Sequence, residues 1–319
     1  MGMNLECMLY LQKKGYLTQK KNKLLDIGPQ NIYYGTAQQM KDFCQNQGST
    51  LSGDDFEKEI KRIEYFSTPR PGETTSSLSE LTDLTNIEYN SFDVCAALKT
   101  EILDLNFDSL PKHNAEYYDV ILNFGTTEHV FNQWNSFKII HEAAKVGGVV
   151  YHQLPGTGYL DHGYFCYTPV FFNDLARANG YEILDLFLTP AGLNKLNDLG
   201  LDIRDAAHPL NKGSAKQSEQ NISCYNINVV LKKTVSAPFR CALELATSHS
   251  AVDSEIADRY LSNGTGSTNA AIVTGDHDQI IKKLIREKNQ AISQLQQMRS
   301  SKSWKVTKPL RSLMTLVRR

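Results

Sequence analysis

The chain has 319 residues, and its 34 lysines and arginines nearly balance its 35 aspartates and glutamates, which leaves a formal net charge of -1. Because there is no basic excess, the composition gives no indication of a nucleic-acid partner. Hydrophobic residues make up 41% of the chain, enough for a sizeable core, and this excludes a chain that is disordered throughout.

The cysteines and the apolar runs indicate in which cellular compartment the protein resides. No signal peptide is evident in the first 22 residues, and no apolar run reaches the about 18 residues that a membrane-spanning helix needs. The six cysteines show no Cys-x-x-Cys spacing, so they predict neither a zinc ribbon nor a disulfide scaffold: Cys7, Cys44, Cys95, Cys166, Cys224 and Cys241. We therefore predict a cytoplasmic protein.

Apolar runs and helical periodicities alternate along the chain. The first twenty residues have a weak amphipathic pattern that predicts a helix. We predict strands at 23–28, 87–94, 101–105, 118–124, 149–154, 183–188 and 225–231. We predict helices at 36–45, through 56–63, at 134–144 with Gly147-Gly148 as its end, and from Thr168-Pro169 to Gly180.

This alternation from about residue 23 to 233 predicts an α/β fold. We expect a Rossmann-like, doubly wound, mostly parallel sheet of seven strands, with a helical insertion after the first strand and a C-terminal helical extension. The predicted organisation is a domain at 1–235, a linker rich in small polar residues at 236–275, and a helix with a basic amphipathic tail at 276–319.

The C-terminal region leaves several interpretations open. An apolar stripe along 276–298 predicts a helix that could pair with a second copy, although the stripe is short for a coiled coil. The segment 299–319 carries seven lysines and arginines and no acid. It fits a solvated end, a helix lying on an anionic membrane, or an element that docks on a partner.

Carboxylates follow several predicted strands, where ligands bind in sheets of this kind. Asp26 and Gly28 end the first strand, and the N-terminus of the following helix could hold an anion. A dinucleotide fold requires further glycines there, yet Gln30 and Tyr33 stand in their place, and the next strand-end acid, Asp93, comes 67 residues after Asp26. A pyrophosphate cofactor is therefore disfavoured, whereas S-adenosylmethionine has no phosphate to place.

S-adenosylmethionine needs polar groups at its methionine end, its ribose and its adenine, and the sequence offers a candidate residue for each of the three. Asp26 and the Gly28 backbone can serve the methionine end, and Asp93 can accept two hydrogen bonds from the ribose hydroxyls. Asp104, with the backbone of Leu105, can face adenine. The alternatives are a purely structural turn at Gly28 and a solvated surface acid at Asp93.

Several stretches resemble class I S-adenosylmethionine-dependent methyltransferases, and in part a bacterial subgroup of them. They are 23–28, Asp104-Leu105-Asn106, 123–132 (Asn-Phe-Gly-Thr-Thr-Glu-His-Val-Phe-Asn), 147–152 and 161–181. The resemblance covers about residues 20 to 235, and 123–132 is its most specific part. It implies S-adenosylmethionine as methyl donor and Asn123 as a further cofactor-binding residue. The chain departs from the family at Pro29-Gln30, where many members carry Gly-x-Gly.

Methyl transfer to a hydroxyl requires that a proton be removed, and histidine suits that role near neutral pH. The candidates are His129 beside Glu128, His152 near the end of the fifth strand, and His162 in the loop beyond it. Each of them could instead be a structural histidine. No fixed ligand spacing links these residues, so we predict no metal.

The end of the chain has a second resemblance. Residues 300–311 (Ser-Ser-Lys-Ser-Trp-Lys-Val-Thr-Lys-Pro-Leu-Arg) are similar to the ending of many bacterial glycosyltransferases and other enzymes of surface-polysaccharide pathways. This resemblance implies a pathway and not a reaction. We expect an O-methyltransferase that acts on a sugar of such a polysaccharide or its precursor, in peripheral contact with an anionic membrane or an assembly complex. The alternative is a non-catalytic interaction module that recruits such a complex.

Overall fold

A computed structural model describes residues 2–18, 22–159, 161–190, 201–202 and 224–244, together with 253, 256, 259 and 260. The strands are β1 (Gly2–Asn4), β2 (Lys23–Ile27), β3 (Asn31–Tyr33), β4 (Glu88–Asp93), β5 (Thr100–Ile102), β6 (Tyr118–Phe124), β7 (Ala144–Thr157), β8 (Tyr181–Pro190), β9 (Leu201–Asp202) and β10 (Tyr225–Lys233). The helices are α1 (Glu6–Lys13), α2 (Ala37–Gln47), α3 (Gly53–Ser67), α4 (Leu78–Thr82), α5 (Gln133–Ala143) and α6 (Pro169–Asn179).

The larger of the two sheets in the described residues has eight strands in the order β5-β4-β2-β6-β7-β10-β8-β9. The strands from β5 to β7 are parallel, whereas β10 is antiparallel to both β7 and β8. This arrangement confirms the predicted α/β, doubly wound, mostly parallel sheet. All seven predicted strands are present, and the two-residue β9 adds an eighth at the edge. The chain winds outward in opposite directions from β2 and β6, so the topological switch point lies between them.

A hydrophobic core covers each face of the sheet, because alternate strand residues point to opposite sides. Leu24 of β2 packs with helices α1 to α4 on one face, and Leu25 packs with α5 and α6 on the other. Helices α2 to α4 are the predicted insertion after the first strand. Among the described residues, no helix combines the length and the apolar character needed to cross a bilayer.

The ends of the helices test the local predictions. Thr168 accepts a hydrogen bond from the Phe171 backbone N–H, and Gly180 adopts φ +64° at the end of α6, which confirms both predicted boundaries. The prediction that Gly147-Gly148 ends the preceding helix is wrong, because α5 ends at Ala143 and both glycines lie within β7. A Cβ on Gly148 would lie 2.9 Å from the Tyr118 carbonyl oxygen, so the glycine permits close approach of β7 to β6.

The N-terminal helix is shorter than predicted. Residues 2–4 form β1, which pairs in parallel with β3, and α1 begins only at Glu6. The amphipathic pattern does not separate these first residues from the helix, because Met3 and Leu5 are both buried in the same core as Met8.

Beyond β10, residues 236–244 continue along α5 and α6. The Ala237 carbonyl lies 2.7 Å from His141 Nε2, and the Arg240 backbone N–H donates to Asn179 Oδ1. The domain boundary at 235 and the linker stay predictions. The predicted helix at 276–298 and the basic tail at 299–319 lie outside the described residues.

Candidate functional site

The first polar group of the site, Asp26, lies at the end of β2 and is fully buried. Its Oδ2 accepts hydrogen bonds from the Gln30 backbone N–H at 3.0 Å and from the Tyr89 hydroxyl at 2.9 Å. Its Oδ1 has no hydrogen-bond partner. Burial raises the pKa of Asp26 to about 7. One carboxylate oxygen therefore shapes the turn, and the other is left to accept a hydrogen bond from a ligand.

The turn after β2 differs from the expected one. Gly28 adopts φ +82°, as a tight turn requires, but the chain then enters β3, and α2 begins only at Ala37. The Ala37 backbone N–H donates to Glu64 Oε1, so the helix N-terminus already holds a carboxylate of the protein itself. Our expectation that this N-terminus could hold the anionic end of a ligand is therefore wrong.

Gln30 is a residue of this turn whose role the sequence did not reveal. Its side chain is fully buried, and its Nε2 donates to the carbonyls of Gly28 and Phe124, both at 2.9 Å. The glutamine thus joins the loops that follow β2 and β6 across the switch point. It occupies the position where a glycine would let a pyrophosphate approach the backbone.

The next two acids lie where the sequence predicts them, at the same edge of the sheet. Asp93 ends β4, is half-buried, and accepts a hydrogen bond on Oδ1 from the Cys95 backbone N–H at 2.8 Å. Asp104 follows β5 by two residues, and its Oδ1 accepts from the Asn106 backbone N–H. The buried Leu105 offers its carbonyl to Asn135 Nδ2 at 2.9 Å. Strand β5 ends at Ile102, earlier than predicted, so Asp104 and Leu105 belong to a turn.

Asn123 and His152 form a buried pair within the sheet. Asn123 Nδ2 donates to His152 Nδ1 at 3.0 Å and to Thr127 Oγ1 at 2.9 Å. The imidazole of His152 packs against the rings of Phe137 and Phe172, and burial lowers its pKa to about 3. Because His152 is 1% exposed and stays neutral, we regard it as a structural residue and leave it out of the proposed chemistry.

The other two histidines meet a single carboxylate. Thr127–His129 forms a turn of 3-10 helix two residues beyond the end of β6, and the side chain of Glu128 in this turn is completely buried. Glu128 Oε1 lies 3.5 Å from His162 Nε2 and 3.8 Å from His129 Nε2. The two imidazole rings are 4.8 Å apart and meet edge to face. Glu128 and His129, which are adjacent in sequence, thus form one cluster with the distant His162.

The electrostatics of this cluster follow from burial. Burial raises the pKa of Glu128, and burial together with the nearby His162 lowers the pKa of His129. At these distances the imidazoles are near enough for charge attraction, yet neither oxygen of Glu128 accepts a hydrogen bond of ordinary geometry. His129 and His162 are 44% and 48% exposed, so their free edges face solvent.

The loop that carries His162 is held against Glu128 by its backbone. The Tyr164 N–H donates to the Glu128 carbonyl at 2.7 Å. Gly163 adopts φ +71°, and a Cβ there would lie 2.9 Å from Glu128 Cγ, so only glycine fits. The sequence does not reveal this contact, because no spacing rule connects Gly163 and Tyr164 to Glu128, which precedes them by 35 and 36 positions.

Two exposed aromatic rings lie two residues from the histidines in the chain. Phe131 is 78% exposed and Tyr164 is 71% exposed, and their ring centroids lie 6.4 Å apart. They neighbour His129 and His162 in the chain. Exposed rings beside polar groups form a surface on which a sugar or another planar apolar group can pack.

No protein-family model matches the sequence, and no curated protein matches it. The solved structures with a similar fold include a SAM-dependent methyltransferase from Archaeoglobus fulgidus, at a TM-score of 0.37 and 11% identity, over 71% of this chain and 93% of that chain. A 1,6-didemethyltoxoflavin-N1-methyltransferase from Burkholderia thailandensis, with bound 1,6-didemethyltoxoflavin and S-adenosylhomocysteine, has a TM-score of 0.35 and 10% identity, over 72% and 78% of the two chains.

An O-methyltransferase from a trans-AT PKS multienzyme of Brevibacillus brevis, in complex with S-adenosyl-L-homocysteine, has a TM-score of 0.32 and 15% identity, over 70% and 71% of the two chains. All three TM-scores are below 0.5, so these similarities carry no conclusion about the cofactor or substrate of this chain. The doubly wound fold stands on the strand order itself.

Proposed function

We propose that the protein transfers a methyl group from S-adenosylmethionine to a hydroxyl. The observation that carries this proposal is the placement of Asp26, Asp93 and Asp104 at the carboxyl ends of three adjacent parallel strands or in the turn that follows, beside the switch point. Ligands of open α/β sheets bind at this place. The resemblance of residues 123–132 to class I methyltransferases supports the same donor.

The residues present fit the donor better than a dinucleotide. The unpartnered Oδ1 of Asp26 can accept from the ammonium of the methionine end, and Asp93 can accept from the ribose hydroxyls. Asp104 and the Leu105 backbone are proposed to face adenine. Gln30 stands where a dinucleotide fold requires a glycine, and its buried side chain is held there by two hydrogen bonds, which weakens the alternative of a pyrophosphate cofactor. When bound, the donor supplies an electrophilic methyl group.

The cluster beyond β6 supplies the acid–base groups. His129 and His162 expose their imidazoles to an incoming acceptor, and Glu128 beneath them can orient and stabilise an imidazolium. In this arrangement an imidazole nitrogen accepts the hydroxyl proton as the oxygen is methylated. Phe131 and Tyr164 can pack on the acceptor. A hydroxyl is favoured over an amine because an alcohol requires such a base more strongly.

The polysaccharide context remains part of the proposal and depends on the resemblance of residues 300–311. We assign the protein to the cytoplasmic side of a membrane, with 299–319 in contact with anionic lipid or an assembly complex, and 276–298 available for self-association. One observation favours the rival, a non-catalytic interaction module: the Gln30 side chain occupies part of the expected ligand loop.

The transfer itself is tested with S-adenosylmethionine that carries a labelled methyl group and a panel of nucleotide sugars and surface-polysaccharide fragments. We expect label in at least one sugar, and His129→Gln or His162→Gln should lower turnover by about 10²- to 10⁴-fold. Affinity for S-adenosylhomocysteine should stay unchanged in both variants. His113→Gln, which alters an exposed histidine beside Glu101, is the matched control. Full turnover of both site variants over a pH series would contradict the assignment.

A further inference from the structure

The burial of the Glu128 carboxylate costs free energy, because the group has few polar partners. Its side chain is fully buried, yet neither oxygen accepts a hydrogen bond of ordinary geometry. A buried carboxylate is normally satisfied by hydrogen bonds, by an opposite charge or by a metal ion. The Nε2 atoms of His162 and His129 lie 3.5 Å and 3.8 Å from Oε1. All three atoms can act as metal ligands.

The spacing of these atoms suits a metal ion. Glu128 Oε1, His129 Nε2 and His162 Nε2 lie within 4.8 Å of one another. Ligand atoms about 2.1 Å from an ion in tetrahedral geometry lie about 3.4 Å from one another. The distances from Glu128 Oε1 to the two imidazole nitrogens would therefore shorten by up to a few tenths of an ångström when an ion binds. The distance between the two imidazole nitrogens would shorten by more. The half-exposed imidazoles can make this adjustment by side-chain rotation, whereas Gly163 and the Tyr164 N–H hold the backbone in place.

The donor set indicates which ion would bind. Two imidazoles and one carboxylate suit divalent transition metals such as Zn²⁺, Co²⁺ and Mn²⁺, whereas Mg²⁺ and Ca²⁺ prefer oxygen donors alone. Three protein ligands leave at least one coordination position open. Because both imidazoles are about half exposed, such a position would be accessible to solvent.

We propose that Glu128, His129 and His162 bind a divalent transition-metal ion whose open position takes the hydroxyl of the methyl acceptor. The binding of the ion stands on the geometry alone, whereas its role in transfer rests on the proposed methyl donor and hydroxyl acceptor and replaces the base role proposed above for His129 and His162. The bound hydroxyl loses its proton to water more easily, because the ion stabilises the alkoxide. The oxygen then forms the O–CH₃ bond, and the S–CH₃ bond of the donor breaks with its electron pair left on sulfur. The histidines then act as ligands in place of bases.

Metal binding is tested on the full chain without any methyl donor. Chelator-treated protein is titrated with Co²⁺, followed by visible absorption, and with Zn²⁺ and Mn²⁺ by calorimetry. We expect one ion per chain and at least tenfold weaker binding in His162→Gln and His129→Gln. The exposed pair His113 and Glu101, whose atoms lie 3.4 Å apart, is the matched control, and His113→Gln should bind the ion as the wild type does. Absence of stoichiometric binding, or unchanged affinity in both ligand variants, would overturn the site.

A second measurement separates this inference from the proposed function. The same chelator-treated preparations are titrated with S-adenosylhomocysteine and assayed for methyl transfer before and after metal is restored. Metal binding without S-adenosylhomocysteine binding would keep the metal site and refute the proposed donor. Transfer that proceeds fully in metal-free protein would refute the role of the ion and leave the histidines as bases.

Discussion

At the scale of single residues, the site combines side chains that shape the fold with side chains left free to bind. Asp26 does both, because one of its oxygens holds the turn through Gln30 and Tyr89 and the other is unpartnered. His152 serves structure, since it is buried and its Nδ1 accepts from Asn123 Nδ2 within the sheet. Asn123 Oδ1 has no hydrogen-bond partner, and its role in binding the cofactor stays a prediction. Asp93, half-buried at the end of β4, is the residue that we propose for the ribose hydroxyls.

Asp93 is therefore the subject of the first prediction. Asp93→Ala should leave the ribose hydroxyls without their acceptor and cost about 1–3 kcal/mol, a roughly 5- to 150-fold loss of S-adenosylhomocysteine affinity. Asp55→Ala, an exposed acid on α3, is the control and should leave affinity unchanged. Calorimetric titration measures both, and equal affinity of Asp93→Ala and wild type would remove Asp93 from the site.

At the scale of elements, Gln30 connects two strands that are not neighbours in sequence. Gln30→Ala would leave the Gly28 and Phe124 carbonyls without their side-chain donor, so we expect it to lower the free energy of unfolding by about 1–3 kcal/mol. Gln38→Ala, on the exposed face of α2, should change it little. Urea denaturation gives both values. Equal stability of the two variants would show that Gln30 does not brace the loops.

The buried His152 predicts a pH dependence of stability. Its pKa falls from 6.5 in the unfolded chain to about 3 in the folded one, so the unfolded state binds more protons in acid. The contribution of His152 to stability is thus complete above about pH 6.5 and falls toward pH 3, with a slope of up to about 1.4 kcal/mol per pH unit. His141, whose pKa burial lowers to about 4, adds a similar loss. Asp26, whose pKa burial raises from 3.8 to about 7, contributes with the opposite sign over that range, so the effect of His152 is measured as a difference between variants.

The contribution of His152 can be isolated with His152→Gln. The variant should lose stability less steeply than the wild type between pH 6.5 and 4, as denaturation at several pH values would show. His113→Gln, which alters an exposed histidine, should follow the wild-type profile. A His152→Gln profile as steep as that of the wild type would mean that His152 is not held neutral by burial.

The sequence predicted the elements well where a local signal exists. A continuous apolar run marked β6, alternating apolar residues marked β10, and the Thr168 cap with Gly180 marked both ends of α6. The prediction that Gly147-Gly148 ends a helix was wrong. A glycine that ends a helix cannot be distinguished in the sequence from a glycine that allows a neighbouring strand to approach closely, because only the tertiary contacts differ. The same limit applies to the cluster of Glu128, His129 and His162, whose geometry depends on a loop that no periodicity describes.

At the scale of the whole molecule, charge is unevenly distributed. The segment 299–319 holds seven lysines and arginines and no acid, although the chain as a whole has a formal net charge of -1. Each basic side chain near an anionic leaflet contributes about 1 kcal/mol of attraction at modest salt. The remainder of the chain is acidic and is repelled by the same surface. We therefore expect any membrane contact to involve the tail.

Truncation after Leu295 tests this expectation. The truncated chain should no longer sediment with vesicles that contain phosphatidylserine, whereas the full chain should sediment at low salt and less at high salt. Its affinity for S-adenosylhomocysteine should match that of the full chain. Sedimentation of the truncated chain would place the membrane contact elsewhere, and a loss of S-adenosylhomocysteine affinity would show that the tail belongs to the ligand site.

The central claim is that the switch point of this sheet binds S-adenosylmethionine although Gln30 occupies part of the loop after β2. The most direct test is a calorimetric titration of the full wild-type chain with S-adenosylhomocysteine, compared with NAD⁺ under the same conditions. We predict saturable binding of one S-adenosylhomocysteine per chain and no binding of NAD⁺. A folded chain that takes up NAD⁺, or that gives no binding heat with S-adenosylhomocysteine at several temperatures, would contradict the claim.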